Sequence, residues 1–213
     1  MNSDQNAKID ATVIALSESL TSVWGYFHLL RGGHEGGREN PEVLKRFDRL
    51  FDQAWQAIFE GLFAKVGTLL DKTKSTYSLP NLVIIVRRLG DADMKQFLPE
   101  VEACLSNNNS LLAKIKSWRH EAVAHSPQSG RDEEFYKNNK MNLDDLECAL
   151  MRLEGILNHP SWNVLGIHND ARTGSAGMVK EGCALFTSLA VGIADESESW
   201  SSVNAFSGEP VSQ

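Results

Sequence analysis

The longest helical period in the sequence opens the chain. Ile9, Val13, Leu16, Leu20, Val23, Phe27 and Leu30 recur at steps of three and four, so they line one face of a helix that Ser3 or Asp4 can cap. A second stripe of the same period follows Asn40-Pro41, which reads as a cap and a first-turn proline. It comprises Phe47, Leu50, Phe51, Ala54, Trp55, Ile58, Leu62, Val66 and Leu69, ending at Asp71. Two long stripes in succession predict an antiparallel pair at the heart of a bundle. Between them lies Arg31-Gly32-Gly33-His34-Glu35-Gly36-Gly37-Arg38. It lacks the preceding strand and the following Lys-Ser/Thr of a phosphate loop, and its four glycines predict a flexible connector.

Shorter elements complete the pattern. Lys72 to Tyr77 is a polar loop where basic and hydroxyl groups gather; phosphate contact is conceivable there, and plain solvation is the simpler reading. Ser78 caps a helix carrying Leu79, Leu82, Val83, Ile85, Val86 and Leu89, and the Arg87-Arg88 finish favours helix over strand for its Val-Ile-Ile-Val run. Residues 91–105 predict a helical piece interrupted near Pro99, and Asn107 to Ser110 a turn that caps the next helix. Asn142 or Asp144 opens a last strong helix with Leu143, Leu146, Leu150, Leu153, Ile156 and Leu157 inward, closed by Asn158-His159-Pro160. The whole predicts an all-α antiparallel bundle over residues 1–162 and a C-terminal extension over 163–213. In that extension Thr173 to Gly177 reads as linker, Met178 to Ala190 as an apolar helix or strand, and Asp195 to Gln213 as poorly ordered.

Composition narrows the class without naming it. A chain of 213 residues with 42% hydrophobic and 23% charged positions fits one soluble globular domain with a sizeable core. The net charge of −7 argues against a broadly basic nucleic-acid surface, so any RNA contact has to be local. Cys104, Cys148 and Cys183 are odd in number and widely spaced, which predicts buried thiols rather than disulfides or a zinc site. With no signal-like start and no run of about 18 continuous apolar residues, a cytoplasmic protein without a membrane partner is expected.

Candidate chemistry is concentrated in Lys114 to Pro127. Arg119, His120 and His125 fall within seven positions, and Pro127 makes further helix unfavourable, so the group sits at a helix end. Lys114, Lys116 and Arg131 supply a local basic patch for a phosphate-bearing substrate, to which Arg87 and Arg88 would add if the fold brought them there. His28 reads as a core histidine, and His159 has no neighbour at metal-ligand spacing.

Arg119, polar His120 and His125 at a helix end resemble the Arg-polar-x4-His motif of the HEPN superfamily, and the phrase Arg-His-Glu-Ala-Val-Ala-His resembles its abortive-infection AbiU-like branch. Leu70-Asp71, Ser78-Leu79 and Leu143-Asp144-Asp145-Leu146 fall in that branch's order, and the similarity covers roughly residues 8–160. Ser126-Pro127 departs from the charged or polar pair that many relatives carry after the histidine. The resemblance implies a HEPN-like bundle, a homodimer with facing motifs, RNA as substrate, no metal or cofactor, and an antitoxin protein as partner in a phage-defence or toxin–antitoxin system. Elementary chemistry fits it: attack of a ribose 2'-hydroxyl on the adjacent phosphate needs a base and a cation, roles suited to His125 and Arg119, with His120 as a second polar contributor. A non-catalytic HEPN-like binding module is the alternative.

Overall fold

The computed structural model describes residues 3–106, 111–118, 141–159, 172 and 177–206. Within these residues the chain is helical: α1 (Ser3–Glu39), α2 (Pro41–Arg46), α3 (Asp48–Leu69), α4 (Leu79–Leu89), α5 (Ala92–Gln96), α6 (Leu98–Ser106), α7 (Leu111–Trp118), α8 (Leu143–Leu157) and α9 (Gly177–Phe206). The apolar stripe of α1 is the axis of the core. Ile9, Val13, Leu16, Leu20, Val23, Trp24 and Phe27 are all buried, against Leu62, Phe63, Val66 and Leu69 of α3, Leu82 and Val86 of α4, and Leu150 and Leu153 of α8. An all-α bundle with two long early helices is therefore what the periodicity specified.

The glycine-rich stretch departs from expectation. Residues 31–38 continue α1 without a break, because their glycines serve close approach rather than chain reversal. A Cβ on Gly32 would lie 2.6 Å from the Val179 carbonyl oxygen, and one on Gly36 would lie 2.9 Å from Phe186 Cδ2 and 3.1 Å from Cys183 Cα. Both glycines face α9, four residues apart on one side of α1. Gly33 and Gly37 turn the next strip toward Trp55 and Leu44. Arg31, His34, Glu35 and Arg38 are left together on a third face.

The other boundaries follow local chemistry. Ser78 Oγ accepts from the Asn81 backbone N–H, as a cap should, and Asn142 with Asp145 forms a complete capping box at the start of α8. Asn40 does not cap α2; its amide donates to the Gly36 carbonyl and closes α1 instead. The second long helix is interrupted at Phe47, and its first half is more exposed than its stripe suggests: Leu50 is 61% exposed, since only Phe51 and Trp55 there find aromatic partners. Cys148, expected inside, is exposed on α8, while Cys104 and Cys183 are half-buried; all three are free thiols.

The extension is the largest correction. It carries one 30-residue helix, α9, which reaches Phe206 where disorder was expected from Asp195. Phe186 anchors it, stacked 4.5 Å from Phe51, and a Cβ on Gly182 would lie 3.0 Å from the backbone carbonyl carbon of Gly32. Gly177–Ala194 is long and apolar enough to cross a membrane by length and composition, and 6% of that window is buried. A search for continuous apolar runs passes over it because Lys180 and Glu181 interrupt the run.

Candidate functional site

The site is built where α7 ends. Leu112, Ile115 and Trp118 face the core at helical spacing, and the Trp118 ring sits edge-on to Phe59 at 5.3 Å and stacked with Phe63 at 5.9 Å. Arg119, His120, His125 and Arg131 lie outside the described residues, which stop at Trp118 and resume at Met141. Trp118 and Met141 line the same cavity, of about 520 Å³, together with Arg31, His34, Glu35 and Arg38 of α1, Phe59 of α3, and Asn142, Leu143, Asp144 and Leu146 at the start of α8.

The proposed substrate lysines stand differently. Lys116 is directed to α6, its ammonium donating to the Leu105 carbonyl at 3.4 Å; burial, then repulsion from Lys72, lowers its pKa. Neither Lys116 nor Lys114 lines the cavity. Arg87 pairs with Glu102, and Arg88 lines a different cavity, so neither arginine lines the cavity at the end of α7. The arginines and histidine that α1 brings to the cavity, Arg31, His34 and Arg38, were hidden by reading residues 31–38 as loop. Their spacing of three and four along the sequence was the available signal, provided the glycines were taken as helical.

Arg31 is held in place from three sides. Its guanidinium donates to Glu35 at 3.2 Å, Glu147 at 2.5 Å and Asp144 at 3.4 Å, while Arg172 donates to the other oxygen of Glu147 at 2.9 Å. Burial pushes the Glu147 carboxyl up, but the two guanidiniums outweigh it and hold its pKa below the usual value. The hydrogen bond to Glu147 leads the opposite shift in Arg31, whose pKa is raised. Such charge-assisted, multiply anchored geometry makes Arg31 a fixed wall of the cavity. His34 and Arg38, one turn apart on the same face, carry no ion pair among the described residues.

Behind this wall His28 is 5% exposed, stacks on Trp24 at 5.5 Å, and donates from Nε2 to the Arg172 carbonyl at 3.1 Å. Its buried Nδ1 has no hydrogen-bond partner among the described residues, and neither has Trp24 Nε1. Burial lowers the His28 pKa despite the bond to Arg172, so the folded protein holds a neutral ring. An unfolded histidine titrates near 6.5, so between the two pKa values the unfolded chain binds more protons and stability falls as pH drops below about 6.5. We expect the denaturation midpoint to fall between pH 7.5 and pH 5.5, with a shallower fall in His28→Gln. Equal slopes in the two proteins would show that His28 is not the buried group that charges.

The fold is an all-α bundle in which a long glycine-notched first helix, the end of α7 and the start of α8 line one cavity. Residues 6–176 match the AbiU2 family model of the HEPN type, and the chain belongs to that abortive-infection family. The match extends beyond residue 160, where the sequence resemblance stops, and takes in Arg172. No curated protein and no solved structure matches the chain.

Proposed function

We propose that this chain is a metal-independent endoribonuclease of a phage-defence or toxin–antitoxin system. The observation that supports the reading is the cavity at the end of α7, which Trp118 lines together with Arg31, His34 and Arg38, and Arg119-His120 come next in the sequence. His125 removes the ribose 2'-hydroxyl proton, Arg119 neutralises charge growing on the scissile phosphate, and His120 assists as a polar contributor. Arg38 supplies further positive charge, and His34 a hydrogen-bonding imidazole, to a substrate phosphate from the α1 side, beside the contact expected of Lys114, Lys116 and Arg131. Two copies with facing motifs form the working unit, and a cognate antitoxin protein restrains it.

The test is cleavage of a generic single-stranded RNA by the full chain in excess chelator. His125→Ala should reduce the rate at least about 100-fold, the lower end of what a positioned acid–base group contributes. Products should carry 2',3'-cyclic phosphate. The net charge of −7, with Glu35 and Asp144 on the cavity wall, favours the second reading, a non-catalytic binding module. RNA that stays intact with the wild-type dimer, or is cut equally by His125→Ala, decides for that module.

A further inference from the structure

A second cavity, of about 790 Å³, lies at the other end of α1, between that helix, the α3–α4 loop and α4. From Thr12 to Arg31 the helix rises about 30 Å at 1.5 Å per residue, so this cavity and the one at the end of α7 are separate. Lys8, Lys74 and Arg88 converge on it, none of its described lining residues is a carboxylate, and none of the three cations is ion-paired among the described residues. The loop that carries Lys74 is built rather than loose. Asp71 accepts from the Thr73 backbone and hydroxyl at 3.0 and 2.9 Å, and the buried Asn81 amide donates to the Thr73 and Thr76 carbonyls at 2.6 and 2.7 Å. Tyr77 and Ile84, 58% and 54% exposed, give the same cavity an apolar flank. Three cations beside an exposed ring suit a ligand that joins several negative charges to an apolar group.

The chain itself carries a segment of that chemistry. Residues 195–213 hold Asp195, Glu196, Glu198 and Glu209 with no lysine or arginine, and Trp200 and Phe206 stand among them. This segment cannot serve the cavity of its own copy. Met178 lies against Gly25 and Phe186 against Gly36, so α9 runs in the same direction as α1 and away from Lys8. Ile193 then packs with Val43 and Phe51, beyond the end of α1. From Thr12 to Gly36 and on from Phe186 to Asp195, helical rise separates the acidic residues from the cavity by on the order of 50 Å. Asp195, Glu196 and Glu198 are still within α9, which continues to Phe206, so no slack in the chain brings them back.

We propose that this cavity receives the acidic end of α9 from a second copy of the chain. Asp195, Glu196 and Glu198 of one copy meet Lys8, Lys74 and Arg88 of the other, and Trp200 meets Tyr77 and Ile84. The two copies use different surfaces, so the contact is head-to-tail and builds rings or chains, unlike a two-fold pair with facing motifs. It uses none of the motif residues and stands or falls independently of RNA cleavage.

Sedimentation velocity on the full chain over a range of concentrations tests it. Pairing through facing motifs touches none of the substituted residues and contributes equally to every variant. Wild type should form assemblies larger than a dimer, and Lys74→Glu/Arg88→Glu or Glu196→Lys/Glu198→Lys should each weaken that association at least about tenfold. Combining the four reversals restores opposite charge across the contact, and should recover at least about threefold over either pair alone. Lys74 and Arg88 are exposed, and circular dichroism checks that every variant is folded. Trp200→Ala, which keeps every charge, should weaken association by about two- to tenfold. Raising salt from about 0.1 M to about 1 M, which shortens the screening length from about 10 Å to about 3 Å, should also weaken it. Wild type that never exceeds a dimer overturns the proposal, as does association unmoved by either charge reversal or by Trp200→Ala. Folded four-fold variant no better than its two parents overturns it as well, because the charges would then not face each other.

Discussion

Alanine in place of Trp118 is expected to destabilise the bundle by about 3–5 kcal/mol, the range for removing a large buried aromatic. The indole fills the junction between α7 and α3, with Phe59 and Phe63 against it and 8% of its surface exposed. Trp118 also lines the cavity and immediately precedes Arg119 in the sequence, so the same truncation is expected to impair RNA cleavage or binding that uses that cavity. Urea denaturation measures the first effect. The second is read at temperatures where the variant remains folded, as a loss of RNA cleavage or binding larger than the unfolded fraction explains. Trp118→Phe should recover most of the stability because it retains the ring contacts. A midpoint unchanged in Trp118→Ala would mean that α7 is not anchored by this residue.

The seam between α1 and α9 should be as intolerant. Gly32→Leu places a side chain where a Cβ alone would already stand 2.6 Å from the Val179 carbonyl oxygen and 3.0 Å from its Cα. Those are backbone atoms, so no rotamer change relieves the overlap and α9 has to move away as a unit. The cost should reach or exceed the upper end of the roughly 1–3 kcal/mol typical of overpacking. Removal of α9 from its seat would also uncover Phe51 and Trp55, which Phe186 covers. Gly155 provides the control of opposite sign: nothing lies within 4 Å of a Cβ there, and α8 is helical through it. Gly155→Ala should stabilise by about 0.5–1 kcal/mol through helix propensity. Faster proteolytic release of α9 in Gly32→Leu, with no such change in Gly155→Ala, checks the pair. Matching denaturation curves for Gly32→Leu and wild type would refute the close packing.

The polar face of α1 that borders the cavity is set by this seam. Glycines at positions 32, 33, 36 and 37 let three neighbouring elements, α2, α3 and α9, approach α1, and the polar residues between them are thereby kept on the remaining side. Arg31 and Glu35 bind each other there, while His34 and Arg38 border the cavity at the motif. A flexible connector could not hold that register.

The bundle itself was legible in the sequence. Apolar positions at three- and four-residue steps specified α1, α4 and α8, and Ser78 and Asn142 marked helix starts through side chains that bond to nearby backbone, a local effect that needs no tertiary information. The Arg119, His120 and His125 group was likewise visible as a spacing, and the AbiU2 match gives the family that its context resembled. Tertiary structure decided the rest. Whether Gly32 and Gly36 break a helix or admit a neighbour depends on α9, which lies some 150 positions away in the chain, as the contact of Cys183 with Gly32 illustrates. The same holds for the convergence of Lys8, Lys74 and Arg88, which no local pattern predicts because three separate segments have to fold before their charges meet. Periodicity reports which face of an element is apolar; only packing determines what that face, or its missing side chains, will touch.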